Sequence, residues 1–166
     1  KELNITVDMN YVYGGLFYGT ADFTARMDTW YQGGTEVVFA CGGGIYTSAL
    51  EAAEKNNGKV IGVDVDQSYL SELFITSAMK DLQKITEDLL TELQEGNWEN
   101  YGGKFLRLSL TDGNYVGLPT GNWQFRNFTV EEYEKVREDI AKGNIVVDDS
   151  TEALPEVSSH TTINAN

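Results

Sequence analysis

Cysteine and histidine are almost missing from this chain, which holds one of each, Cys41 and His160, among 166 residues. A single cysteine excludes an intrachain disulfide and a cysteine metal cluster, and Cys41, at the end of an apolar run, reads as a small buried hydrophobe rather than a reactive thiol. A single histidine, in a polar stretch near the end of the chain, gives no basis for a zinc site or a Ser-His-Asp triad. Basic residues are also scarce: 12 Lys and Arg against 26 Asp and Glu give a formal charge of −14. Without a basic stripe, such a surface repels phosphate backbones, and nucleic acid is excluded as a partner. No apolar run approaches the roughly 20 residues of a membrane-spanning helix. There is no internal repeat, no signal peptide and no lipidation sequence. The first residues already read as a strand, so the chain is expected to be cut from something longer.

Against these absences stand 41% hydrophobic and 11% aromatic residues, enough for one folded domain with a real core. The organising stretch is Glu36-Val-Val-Phe-Ala-Cys-Gly-Gly-Gly44, followed by Lys59-Val-Ile-Gly-Val-Asp-Val-Asp66. Both runs read as buried strands with their C-terminal ends on one side. A helix from Ile45 to Asn57 joins them, with Gly58 at the left-handed C-cap position. In open parallel sheets ligands collect beyond the carboxyl ends of the strands. Phe39, the Gly42–Gly44 loop, Asp64 and Asp66 would therefore share one rim.

The remaining pattern extends this unit. Leu3 to Met9 alternates as a strand, Asn10 to Tyr18 is a loop of glycines and aromatic rings, and Gly19 to Gln32 has helical spacing. Phe74-Ile75-Thr76 is a short strand. Thr76 or Ser77 would cap a helix with apolar positions Met79, Leu82, Ile85, Leu89 and Leu93. Lys104 to Leu110 alternates again, and Thr111 to Asn114 is a turn. Thr129 and Glu132 form a capping box for a last helix running to Gly143. Ile145 to Val147 is a final strand, and 148–166 reads as a polar tail. Strands alternating with helices predict a parallel sheet with helices on both faces and right-handed crossovers.

Asp64 and Asp66 are two residues apart, so an extended strand end would turn both carboxylates the same way. Carboxylates there suit the vicinal hydroxyls of ribose or another sugar; a Mg²⁺ or Ca²⁺ site is the rival use, and a solvated turn the plain one. The Gly42–Gly44 loop either offers backbone N–H groups to a ligand or merely makes a tight turn, and its spacing fits neither a dinucleotide fingerprint nor a P-loop. Phe39 is a core residue by position, but beside a glycine loop its ring can stack on a flat heterocycle. Lys80, placed in the first turn of a helix, opposes the helix dipole and otherwise reads as a surface lysine.

Four blocks in order carry a resemblance: Gly33-Gly-Thr-Glu-Val-Val-Phe-Ala-Cys-Gly-Gly43, Ile61-Gly-Val-Asp-Val-Asp-Gln67, Ile75-Thr-Ser-Ala-Met-Lys80 and Leu110-Thr-Asp-Gly-Asn-Tyr-Val-Gly-Leu118. They resemble the basic membrane protein (BMP) family, the PnrA-like substrate-binding lipoproteins of bacterial ABC transporters. Members of that family show G-A-D-V-I-F with a G-G loop, then G-V-D-x-D-Q, T-S-x-x-K and K-D-G-x-x-G-L. The resemblance implies one lobe of a type I periplasmic-binding-protein fold, its second lobe with C-terminal return elements over 1–147. It implies a non-catalytic protein without a cofactor that binds a purine nucleoside or related ribosyl ligand. The implied partner is an ABC permease, and the implied location is extracytoplasmic, with membrane attachment only through a lipid anchor absent from this chain. Position by position, Phe39 would stack on the purine, Gly42 or Gly43 would offer backbone hydrogen bonds, Asp64 with Asp66 would hold ribose hydroxyls, and Lys80 would approach the same sugar. The chain departs from the family at Cys41, at Gly44-Ile-Tyr46 in the loop, and at Thr111 where lysine is common. A sugar- or nucleoside-sensing receptor or regulator domain uses the same fold. A Mg²⁺-dependent enzyme using Asp64 and Asp66 is the other alternative, and the chain offers it no obvious base.

Overall fold

The computed structural model describes residues 5–148, 150 and 153–165. Its element order is β1 (Val7–Tyr11), α1 (Ala21–Gln32), β2 (Val37–Phe39), α2 (Tyr46–Asn56), β3 (Lys59–Asp64), β4 (Phe74–Lys80) and α3 (Leu82–Gln94). A 3-10 turn at Trp98–Asn100, α4 (Leu110–Gly113), β5 (Val116–Gly117), α5 (Val130–Ala141) and β6 (Thr161–Ala165) complete it. The main sheet has the order β2-β3-β4-β5. β2, β3 and β4 are parallel, and β5 adds an antiparallel edge. The chain is an α/β structure with its sheets flanked by helices, consistent with a periplasmic-binding-protein-like fold.

The core lies where α1 and α2 cover the parallel strands. Met27 and Tyr31 of α1, Ala49, Ala52 and Ala53 of α2, Val38, Val60 and Phe74 are all buried. The three alanines remove side-chain bulk from one face of α2, which lets that helix lie close against α1 and β3. Tyr46 meets Phe74 edge to face, with ring centroids 6.0 Å apart. Thr20 caps α1, its side chain accepting from the Phe23 N–H. The expected capping box of Thr129 and Glu132 starts α5, and each side chain accepts from the other's backbone N–H.

Gly58 does not make the left-handed C-cap expected of it; Asn57 does, at φ 56°. Gly58 is instead a close-approach position, because a Cβ there would run into the Tyr31 ring. The Tyr31 hydroxyl donates to the Lys59 carbonyl at 2.7 Å. Burial pushes the Tyr31 phenol up to about 12. An unfolded phenol ionises near pH ~10, so the raised value favours the folded state while both states stay protonated. That contribution is complete below about pH 10 and is lost as the pH rises toward the folded value. Urea midpoints are expected to fall between about pH 10 and 12 more steeply for the wild type than for Tyr31→Phe. Equal slopes would remove Tyr31 as the cause.

Several sequence expectations shift. The strand expected at Phe74–Thr76 runs on to Lys80, and α3 begins at Leu82, capped by Asp81 rather than by Thr76 or Ser77. Met79 therefore sits on a strand, because helical and strand spacing coincide over so short a run. The first strand is Val7–Tyr11, while the Leu3 end of the expected one lies outside the described residues. Neither Lys104–Leu110 nor Ile145–Val147 forms a strand. Thr111–Gly113 belong to a short helix, α4, rather than a free turn, with Asn114 as its left-handed C-cap and a Ser109–Asp112 capping box at its start. Within the stretch expected to be a polar tail, Thr161–Ala165 pairs in parallel with β1. Cys41 is exposed, not buried, because the sheet ends just before it.

Candidate functional site

Asp64 closes β3 with φ 68°, in the left-handed region that a non-glycine residue adopts at a cost. The Val65 N–H donates back to the Val63 carbonyl at 2.8 Å, so the chain reverses through a tight turn centred on Asp64. The buried Gln67 side chain supports this turn from below. Its side-chain carbonyl accepts the Val63 N–H at 3.1 Å, and the Gln67 backbone N–H donates to the Ser77 hydroxyl at 3.0 Å. Gly62 lies beside this network, where an added Cβ would strike Gln67 and Ser77. The Gly62–Gln67–Ser77 contact thus fixes the turn that presents Asp64 and Asp66, a role that reading the strands separately did not reveal.

Lys80 stands at the end of the neighbouring strand, not in a helical first turn as its spacing predicted. Its ammonium lies 2.7 Å from Asp64 Oδ1, with both side chains partly exposed. Solvent screening leaves such a pair little weight in stability. Its consequence is positional, because it draws a cation and a carboxylate together at the carboxyl ends of two parallel strands. Asp66 lies beyond the turn, so simple strand alternation with Asp64 does not hold; one of its oxygens accepts the Ser68 N–H at 3.0 Å. Both carboxylates nevertheless reach the same space.

That space is a cleft of about 460 Å³. Asp64, Asp66 and Lys80 line one side, Val116 and Gly117 of β5 continue it, and Tyr133 and Arg137 of α5 form the far side. The Tyr133 hydroxyl accepts the Leu118 N–H at 2.6 Å, which fastens α5 to the chain leaving β5. The Arg137 guanidinium lies 5.6 Å from the Tyr133 ring. Neither Tyr133 nor Arg137 was legible as a site residue, because Tyr133 reads as an apolar position of the last helix and Arg137 as an ordinary charged residue of it.

Phe39, Gly42 and Gly43 occupy the β2 part of the same rim and do not line this cleft. Phe39 is 51% exposed, so its ring is open to a flat partner rather than committed to the core. The glycine loop packs on the preceding aromatic loop, with the Gly44 N–H donating to the Phe17 carbonyl at 2.7 Å. The Gly42 N–H is also engaged, by Ala40 at 2.9 Å. Tyr13 and Phe17 present highly exposed rings along that loop. The rim therefore runs from aromatic groups at β2, through carboxylates and a lysine at β3 and β4, to a guanidinium on α5. Among the described residues no group of three or more His, Cys, Asp or Glu side chains is arranged to hold a metal ion. Nor is any helix among them long and apolar enough to cross a membrane.

The family model for PnrA-like ABC transporter substrate-binding proteins, Bmp, matches residues 1–151. The chain belongs to the Bmp family. Among Bmp relatives, the ABC transporter nucleoside-binding protein BmpA of Lactococcus lactis subsp. cremoris is 26% identical, over 89% of this chain and 46% of its own length. Basic membrane protein B of Borrelia garinii subsp. bavariensis is 34% identical, over 66% of this chain and 33% of its own length. The chain thus spans about half, or less, of the curated relatives it matches.

Proposed function

We propose that this Bmp chain contributes to an ABC transporter substrate-binding protein that takes a purine nucleoside or a related ribosyl ligand and performs no catalysis. The observation that carries this reading is the Asp64 turn. A carboxylate held at the open end of a parallel sheet, beside a lysine and a cleft, matches the chemistry of a vicinal diol. The printed name of the Lactococcus relative, a nucleoside-binding protein, favours the same class of ligand. Asp64 would accept the ribose hydroxyls with Asp66 nearby, and Lys80 would contact the sugar from the β4 side. Phe39 would stack on the base. Of the two loop glycines, Gly43 is the better backbone donor, since the Gly42 N–H already has an acceptor. The ligand would pass to an ABC permease outside the cytoplasm, with attachment to the membrane through a lipid anchor.

The test is calorimetric titration of the full-length protein with purine and pyrimidine nucleosides, free bases and ribose. Micromolar or tighter binding of a nucleoside, absent for its base and its sugar alone, is the expected result. Silence across the nucleosides would overturn the reading. Phe39→Ala is expected to weaken a purine nucleoside by about 1 kcal/mol, the size of a lost aromatic stacking contact, while leaving binding of a ribose fragment unchanged. Equal losses for both would take Phe39 out of the base position.

A further inference from the structure

The rim has a direction, and the cleft lies on one side of it. Strand order places Phe39 on β2, Asp64 on β3, Lys80 on β4 and the α5 face beyond β5. Neighbouring strands lie about 4.8 Å apart, so the reach from Asp64 to the β5 edge is about 10 Å. A ribose whose 2′ and 3′ hydroxyls meet Asp64 carries its base on one side of the ring and its C5′ on the other. With the base over Phe39, C5′ points past Lys80 into the cleft. A bare 5′ hydroxyl would leave most of that 460 Å³ unfilled.

The far wall has donor capacity to spare. Arg137 Nη1 alone serves both oxygens of Glu134, at 3.0 Å each. Arg137 Nε is shielded from solvent and has no acceptor among the described residues. A guanidinium normally offers a two-nitrogen fork, the shape that fits two oxygens of a phosphate. A buried donor without a partner is costly, which favours a guanidinium that turns to meet an acceptor entering the cleft. The acids on the near side are partly engaged elsewhere. Asp81 accepts the Lys84 N–H at 2.9 Å, and Asp66 accepts from Ser68 at 3.0 Å. The net charge of the whole chain is screened beyond about 8 Å at physiological salt, so groups inside the cleft decide local affinity.

We propose that the α5 end of the cleft receives the 5′-phosphate of a nucleotide, with Arg137 as the residue that selects it and Lys80 as a second cation on its path. This rests on the ribosyl-binding reading above and extends it to the ligand's far end. The test uses the full-length protein, titrated with adenosine and guanosine, their 5′- and 3′-monophosphates, and inorganic phosphate. A 5′-monophosphate is expected to bind at least as tightly as its nucleoside and at least about tenfold tighter than the 3′ isomer, whose phosphate would displace the diol from Asp64. Arg137→Gln should lower 5′-monophosphate affinity by about tenfold or more, the scale of a lost charge-assisted contact, and leave the nucleoside within about twofold. Arg137→Lys should recover part of the loss, and unchanged melting temperatures would show that both variants fold. Nucleosides bound with 5′-monophosphates rejected, or Arg137→Gln weakening nucleoside and nucleotide alike, would overturn the assignment while leaving the ribosyl reading intact. Binding of inorganic phosphate alone at comparable strength would also overturn it. Failure of every nucleoside and nucleotide to bind would overturn the ribosyl reading itself, and this assignment with it.

Discussion

Phe74→Ala is expected to lower folding stability by about 3–5 kcal/mol, the range for emptying a fully buried phenylalanine site. Phe74 is 0% exposed and stands where α2 meets the parallel sheet. Its neighbours are poorly placed to refill the space. Ala49, Ala52 and Ala53 have no side-chain atoms to extend, and Tyr46 meets Phe74 only at the ring edge. For a chain of this size each kcal/mol corresponds to about 2–4 °C in melting temperature, so a fall of roughly 6–20 °C is expected. A shift below about 3 °C would show that the site collapses around the alanine and that the core is looser than its burial indicates. Phe74→Leu should lose clearly less, because it retains most of the apolar volume.

Asp64→Ala carries the largest expected functional effect. Removing a carboxylate that accepts paired hydroxyl hydrogen bonds should cost about 2 kcal/mol or more of ligand affinity in the full-length protein. That is about 30-fold in Kd by calorimetry. The same substitution tests the turn. At φ 68° an alanine lacks the local hydrogen bonds that let aspartate occupy the left-handed region, whereas glycine adopts it without steric cost. Asp64→Gly should therefore lose ligand affinity as Asp64→Ala does, yet be as stable as the wild type or slightly more so. The Lys80 ion pair is too exposed to reverse that order. Unchanged affinity in both variants would remove Asp64 from the site. A destabilised Asp64→Gly would mean that the carboxylate, not the backbone, holds the turn.

Much of the architecture follows from local pattern. The runs at Val37 and Val60 are short, apolar and followed by turn residues, so strands are the only economical reading of them, whereas the role of Gly58 as a close-approach position against Tyr31 was not legible. The Thr129–Glu132 box sets the start of α5 because both partners lie within one turn. The family blocks likewise pointed to the Bmp relationship that residues 1–151 bear out. Polar or very short pairings were not legible. β6 is a stretch of threonine, isoleucine and asparagine whose strand character depends on β1, more than a hundred residues earlier in sequence. Lys104–Leu110 alternates like a strand, but alternation cannot supply the pairing partner that a strand requires.

The site divides along the same line. By itself the sequence determined that this is an acidic α/β chain with one cysteine and that Asp64 closes the strand begun at Lys59, because residue type and strand periodicity are local properties. Only the tertiary structure decided that Lys80 ends a strand and meets Asp64, that Gln67 and Ser77 brace the turn between them, and that Arg137 faces the cleft. The Asp64–Lys80 pair and the Arg137 wall depend on how separate segments pack together, and the Gln67–Ser77 contact, though closer in sequence, forms only because β3 and β4 lie side by side.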